Sequence, residues 1–81
     1  MNAEFTSRFL KDTRQLRGTL KEELEKIVKK VIENPEIGKP LRYSYRNCRS
    51  VRIGKFRIIY KLEGYKIIFI TFEHRAQRES I

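Results

Sequence analysis

The sequence is poor in cysteine, in long apolar runs and, over one long stretch, in acidic residues. Its 81 residues include a single cysteine, Cys48, which excludes an internal disulfide framework and a cysteine-based zinc site. The longest apolar run, Ile67–Phe72, is interrupted by Thr71 and falls far short of the ~18–20 apolar residues of a membrane span. The first five residues lack the basic start and apolar run of a signal peptide. We therefore expect no membrane association and a reducing, cytoplasmic location.

The length allows one small domain, residues 1–81, with no room for a second. A chain of this size buries only about 60–65% of its extended-chain surface, so a deep, enclosed small-molecule pocket is not expected. Hydrophobic residues make up 40% of the chain, which is enough for a single core and disfavours disorder.

Positive charge dominates the composition. Lysine and arginine number 19 against 10 acidic residues, for a net charge of +9. No acidic residue occurs between Ile37 and Leu62. The cations in that stretch are Lys39, Arg42, Arg46, Arg49, Arg52, Lys55, Arg57 and Lys61. Such a stretch predicts an anionic partner, which is nucleic acid, an anionic membrane surface or an acidic protein.

The beginning of the chain predicts a short strand and then a helix. Ala3–Phe5 is the predicted strand. Thr6 or Ser7 can cap a helix that runs to about Leu16. Gly18 follows at the position where a helix commonly ends in the left-handed conformation.

A second helix is predicted from Thr19, where Thr19 and Glu22 form a capping box. Its apolar residues recur at helical spacing and define one face. They are Leu20, Leu24, Ile27, Val28, Val31 and Ile32. Asn34-Pro35 ends this helix, because a residue before proline disfavours the helical conformation.

The second half of the chain changes to a period of two, which is typical of strands. Arg49–Ile53 and Phe56–Leu62 are predicted strands joined by a tight turn at Gly54-Lys55. A second turn at Glu63-Gly64 leads to a last strand, Tyr65–Glu73, which is apolar on both faces and therefore central.

The predicted fold is therefore α+β, in the order β-α-α-β-β-β. Two amphipathic helices cover one face of an antiparallel sheet. The other face is expected to be open and to carry arginines. Across the first hairpin, Arg52 and Arg57 fall on the same face.

The hairpin Arg49–Tyr60, with the sequence RSVRIGKFRIIY, is followed after an apolar strand by Glu73-His74-Arg75. This combination resembles the RelE/ParE toxin superfamily, and the opening segment Glu4–Asp12 is similar to its first strand and helix. The family consists of small basic toxins of type II toxin–antitoxin pairs. Its RelE branch cleaves messenger RNA in the ribosomal A site without a metal, and its ParE branch acts on DNA gyrase.

The resemblance implies roles for individual residues in RNA cleavage. Arg57 would clamp the phosphate, Arg75 would stabilise the transition state, and Arg52 would position phosphate. His74, whose ordinary pKa lies near neutrality, could act as acid or base. Further RNA or phosphate contacts are expected from Arg49, Lys55, Arg46 and Arg78. No metal ion or other cofactor is expected, since guanidinium groups can stabilise the extra charge on phosphorus.

The carboxyl-terminal tail departs from the family pattern. RelE-like members usually carry a tyrosine shortly after the arginine that matches Arg75, whereas the two candidate positions here are Glu79 and Ile81. The phosphate-binding residues are present, but the proton-transfer set is incomplete. Glu79 or His74 could substitute.

The resemblance thus implies a ribosome-dependent mRNA endoribonuclease that inhibits translation, with the ribosome, mRNA and an acidic, RelB-like antitoxin as partners. Two alternatives stay open. One is a ParE-like protein that inhibits gyrase through protein contacts, and the other is a weakened RelE homologue that binds RNA or the ribosome without cleavage.

Overall fold

The computed structural model describes residues 2–41 and 47–74, and within them it confirms the predicted α+β fold and element order. The strands are β1 (Asn2–Phe5), β2 (Lys39–Pro40), β3 (Cys48–Ile53), β4 (Phe56–Glu63) and β5 (Lys66–His74). The helices are α1 (Ser7–Thr13) and α2 (Gly18–Glu33), and a short 3-10 helix spans Pro35–Ile37.

The five strands form one sheet in the order β1-β5-β4-β3-β2. The sheet is mixed, whereas the sequence predicted an antiparallel one, because β1 pairs with β5 in parallel. Hairpin turns force β3, β4 and β5 to run antiparallel to one another. Between β1 and β5 the chain passes through both helices and the other three strands, so no tight turn forces these two strands to run antiparallel.

The core lies between the helices and one face of this sheet. Val31 of α2 is fully buried, as are Ile58 and Tyr60 of β4 and Ile67 and Phe69 of β5. Partly buried residues of the apolar face of α2 pack around them. The predicted apolar face of the second helix is therefore confirmed as part of the core.

The pairing of β4 with β5 contains one irregularity, between Ile59 and Tyr60. Tyr60 pairs with Phe69, but Ile59 pairs with Thr71, so Ile70 is an extra residue in β5. A bulge of this kind shifts the register of the strand beyond it. As a result Arg57 pairs with Glu73, where uninterrupted pairing from the hairpin would place Phe72 opposite it.

The helix ends agree only in part with the sequence. The Thr6 side chain accepts a hydrogen bond from the Phe9 amide at 3.0 Å, as predicted for a helix cap, and its hydroxyl donates to the Ile70 carbonyl at 2.7 Å. The prediction of a capping box at Thr19 and Glu22 is wrong. The helix α2 begins one residue earlier, at Gly18, and its N-cap residue is Arg17, whose side chain makes no capping hydrogen bond. Gly18 has the expected positive φ, of 64°.

A buried tyrosine ties the segment after α2 to the sheet. The Tyr60 hydroxyl accepts a hydrogen bond from the Gly38 amide at 3.0 Å and donates one to the Pro35 carbonyl at 2.6 Å. A Cβ on Gly38 would collide with the Tyr60 hydroxyl, so a glycine is required there. Burial raises the pKa of Tyr60, although the Gly38 amide and the Arg49 charge partly offset the effect.

Neither described helix is both long enough and apolar enough to cross a membrane.

Replacing Tyr60 with phenylalanine removes both hydrogen bonds and leaves the buried Gly38 amide unpaired. We expect Tyr60→Phe to lower the free energy of unfolding by about 1–3 kcal/mol, measured by urea denaturation. Tyr65→Phe is the matched control, because Tyr65 is 85% exposed and its loss should cost less than about 0.5 kcal/mol. Equal effects of the two changes would contradict the assigned role of Tyr60.

The raised pKa of Tyr60 also predicts an alkaline dependence of stability. Since the folded pKa lies above the unfolded value of about 10, the stabilisation is fully present at neutral pH. It is lost as the pH rises past the unfolded value and through the folded one. The free energy of unfolding should fall more steeply with pH above about 10 in the wild type than in Tyr60→Phe. Parallel curves would contradict this prediction.

Candidate functional site

Three adjacent strands place charged residues side by side on the sheet face opposite the helices. Arg52 of β3 pairs with Arg57 of β4, and Arg57 pairs with Glu73 of β5. Directly paired residues share a face of the sheet, so these three side chains form one charged row. The structure thus places Arg52 beside Arg57, as the sequence predicted.

Arg57 and Glu73 form a half-buried ion pair at the end of the row. The Arg57 Nε atom lies 3.6 Å from a Glu73 carboxylate oxygen, and the two side chains are 20% and 14% exposed. The Nε atom is buried and has no hydrogen-bond partner within residues 2–41 and 47–74. The Thr71 hydroxyl donates to the other Glu73 oxygen at 3.2 Å. Salt screens a pair buried to this degree less than a surface pair, so Glu73 offsets much of the repulsion between the two arginines.

The rest of this face is less open than the sequence predicted. Ile59, Thr71 and Cys48 are buried there, and Lys61 pairs with Glu63 at 3.4 Å. At the other end of this face Lys66 also pairs with Glu4, at 3.4 Å, so the net positive charge of the face lies at the end that carries the charged row. Burial raises the pKa of the Cys48 thiol, although the nearby Lys61 charge partly offsets this.

Two other predicted site residues lie on the helix-covered face. Arg49 pairs with Tyr60, and its guanidinium donates to the carbonyls of Gly38 and Glu36 at 2.8 and 3.2 Å. The contacts of Arg49 are therefore those of a structural residue. His74 pairs with Phe56 and meets its ring edge-on, with 5.2 Å between the ring centres.

His74 also borders a cleft of about 530 Å³ between α1 and the end of β5, together with Arg8, Asp12 and Glu73. Its ring is thus on the face opposite Arg57, and the structure does not bring the two predicted catalytic groups together. Lys55 is exposed in the β3–β4 turn beside Arg52. The remaining predicted site residues, Arg46, Arg75 and Arg78, lie outside the described residues, as do Glu79 and Ile81.

Glu73 is a site residue that the sequence analysis did not identify. The sequence shows that Glu73 points to the face opposite that of its neighbours Phe72 and His74. Which residue of β4 it pairs with, however, depends on the bulge at Ile59/Tyr60. Counting back from the hairpin turn without that bulge places Phe72, and not Glu73, opposite Arg57.

A sequence model of the ParE toxin of the type II toxin–antitoxin system parDE matches residues 3–79. The chain belongs to this toxin family. Membership of the RelE/ParE superfamily, which the hairpin and the Glu73-His74-Arg75 segment indicated, is thereby confirmed. No curated protein matches the sequence.

Solved structures of related toxins share the fold. The intact RelBE toxin–antitoxin complex of E. coli contains a chain that superposes with a TM-score of 0.78 and 24% identity, covering 90% of the present toxin and 94% of that chain. The YoeB/ParE toxin of Agrobacterium tumefaciens superposes with a TM-score of 0.81 and 16% identity, covering 93% of the present toxin and 99% of that chain. A chain of the RelB–RelE complex of Methanococcus jannaschii superposes with a TM-score of 0.76 and 23% identity, covering 95% of the present toxin and 95% of that chain.

The raised pKa of Cys48 predicts an unreactive thiol. The folded toxin should react with a thiol reagent such as DTNB at least about tenfold more slowly than the urea-unfolded toxin at pH 7.5, since the thiolate is the nucleophile. The rate is followed by absorbance, with free cysteine as the control. Rapid, stoichiometric labelling of the folded toxin would contradict the burial of Cys48.

Proposed function

We propose that this toxin inhibits translation as a ribosome-dependent endoribonuclease that cleaves mRNA. The charged row supports this best: Arg57 lies on a central strand, directly beside Arg52, and both arginines belong to the acid-free stretch of the sequence. A guanidinium can bind two phosphate oxygens at once and stays charged at every physiological pH.

The proposed reaction is an attack by the 2′-hydroxyl on the adjacent phosphorus. A bond forms between the 2′-oxygen and phosphorus, the bond to the 5′-oxygen breaks, and a 2′,3′-cyclic phosphate results. Arg57 would bind the non-bridging oxygens, where negative charge develops in the transition state. Arg52 would hold the phosphate backbone, and Arg75, which follows β5 directly in the sequence, would add a further positive charge.

His74 does not take part in the proposed reaction. Its ring packs edge-on against Phe56 on the opposite face of the sheet. A general acid or base must lie within hydrogen-bond reach of the proton that it transfers, directly or through one water. The Arg57 guanidinium and the His74 ring lie on opposite faces of the sheet, although Glu73 borders the same cleft as His74.

The proposed partner is an acidic, RelB-like antitoxin with an apolar helix. The toxin carries a net charge of +9, which favours an acidic partner by electrostatic steering. Related RelE chains are found in complexes with RelB. An apolar groove of about 360 Å³ between α1 and α2, bordered by Phe5, Leu10 and Val28, fits the apolar face of a partner helix.

A second candidate function is inhibition of DNA gyrase. The observation that favours it is the match to the ParE toxin family, together with the absence of a tyrosine at positions 79 and 81. On this alternative, purified toxin should inhibit supercoiling by gyrase and leave ribosome-bound mRNA intact.

The test of the proposed function is cleavage of mRNA on purified ribosomes with an occupied P site, mapped by primer extension. The wild type should cut in the A site. Arg57→Ala should lower the single-turnover rate by about 10²–10³-fold, and Arg57→Lys should also lose most of the activity because a lysine cannot bind two oxygens in one plane.

Lys61→Ala is the matched control, because Lys61 is a cation on the same strand and face and also has a carboxylate partner. It should stay within about threefold of the wild type. Equal losses in Arg57→Ala and Lys61→Ala would indicate that only net charge matters. No cutting by folded, ribosome-bound wild type would overturn the nuclease proposal.

A further inference from the structure

We propose that Glu73 is the general base of this toxin, taking the proton from the attacking 2′-hydroxyl. The inference rests on the proposed ribonuclease function. The proposed reaction needs a group that accepts the 2′ proton. Among the described residues no histidine lies on the face of Arg57, and the sequence has no tyrosine at position 79 or 81.

Glu73 is the carboxylate that the structure places beside the proposed phosphate-binding arginine. One carboxylate oxygen lies 3.6 Å from Arg57 Nε, on the inner side of the guanidinium. The terminal nitrogens of Arg57 are the part of the group that suits two phosphate oxygens. In RNA the 2′-oxygen is attached next to the carbon that bears the 3′-phosphate. A phosphate held by Arg57 therefore brings its own 2′-hydroxyl close to the Glu73 carboxylate.

The surroundings hold this carboxylate in place. The Thr71 hydroxyl donates to one oxygen at 3.2 Å, while the other oxygen faces Arg57. With only 14% of the side chain exposed, Glu73 has little freedom to move away from its partner. A base fixed in this way needs no reorganisation when the substrate binds, which favours proton transfer in the transition state.

The charged groups around Glu73 come from three neighbouring elements. Arg57 on β4 is the nearest, and Arg52 on β3 lies beyond it in the charged row. From α1, Arg8 and Asp12 border the cleft that Glu73 also borders, and these two pair with each other at 3.7 Å. The nearest charge to Glu73 is therefore positive, from the Arg57 guanidinium whose Nε atom lies 3.6 Å away.

The proton balance of the step is complete with water as the only additional reactant. The Glu73 carboxylate accepts the 2′ proton as the bond between the 2′-oxygen and phosphorus forms. The bond from phosphorus to the 5′-oxygen breaks, and that oxygen takes a proton from a water molecule. The hydroxide so formed removes the proton from the Glu73 carboxyl, which restores the starting state. The products are a 2′,3′-cyclic phosphate and a free 5′-hydroxyl.

The test is Glu73→Gln, which keeps the shape of the side chain and can still accept the Thr71 hydrogen bond. Glu63→Gln is the matched control, because Glu63 is also a carboxylate of the sheet, paired with Lys61 at 3.4 Å. The rate of single-turnover cleavage of A-site mRNA is measured at neutral pH, and binding is measured with mRNA carrying a 2′-deoxy nucleotide at the cut. Circular dichroism and thermal unfolding check that both variants fold.

We expect Glu73→Gln to cleave about 10²–10⁴-fold more slowly than wild type and to bind the 2′-deoxy mRNA at least as tightly. Glu63→Gln should stay within about threefold of wild type. Glu73→Asp should be intermediate, since its carboxylate is one carbon further from the substrate.

Three results would overturn the assignment. A Glu73→Gln rate within threefold of wild type would show that no proton goes to Glu73. A slow Glu73→Gln variant that binds 2′-deoxy mRNA much more weakly than wild type would reduce Glu73 to a residue that positions Arg57. A wild type that binds ribosomes but never cuts would overturn the nuclease function and the base with it, whereas the first two outcomes leave the nuclease function intact.

Discussion

The bulge at Ile59/Tyr60 is the constraint on which both faces of the sheet depend. Side chains alternate between the faces of a strand, so one extra residue exchanges the faces of everything beyond it. With the bulge, Phe72 turns into the core and stacks on Phe56 with 4.9 Å between ring centres, and Glu73 meets Arg57. Without it, the core would receive the carboxylate and Arg57 would face a phenylalanine. The Thr6 hydroxyl, bonded to the carbonyl of the bulged Ile70, ties the start of α1 to this point.

The sequence was sufficient for the parts of the fold that local pattern determines. The apolar face of α2, the Thr6 cap, the end of α2 before Pro35 and both hairpins follow from spacing and turn chemistry. Pairing across the sheet could not be predicted in the same way. The parallel β1 and the bulge in β5 depend on contacts between residues far apart in sequence. The pairing of Arg52 with Arg57 was predictable because a two-residue turn joins their strands. The roles of Arg49 and His74 were expected from residue type and from the family resemblance, and they stay predictions.

The charged row combines two requirements that conflict in a small basic domain. A phosphate-binding surface needs concentrated positive charge, and folding is opposed by like charges held side by side. In the free toxin the negative charge of Glu73 on β5 offsets the positive charge of Arg57 on the adjacent strand β4, which reduces this repulsion. On the proposed function, the same carboxylate would accept the proton once a phosphate replaces it as the main partner of the guanidinium. Stability of the free protein and the proposed chemistry on RNA would then depend on one ion pair.

The central claim is that the target of this toxin is mRNA on the ribosome. The most direct measurement sequences the 5′ ends of cellular mRNA within minutes of induced expression, and follows the supercoiling of a reporter plasmid in the same cells. The account predicts new 5′-hydroxyl ends inside coding regions, in phase with the three-nucleotide reading frame, while the plasmid keeps its supercoiling. Intact mRNA together with a relaxed plasmid would contradict it and would identify gyrase as the target.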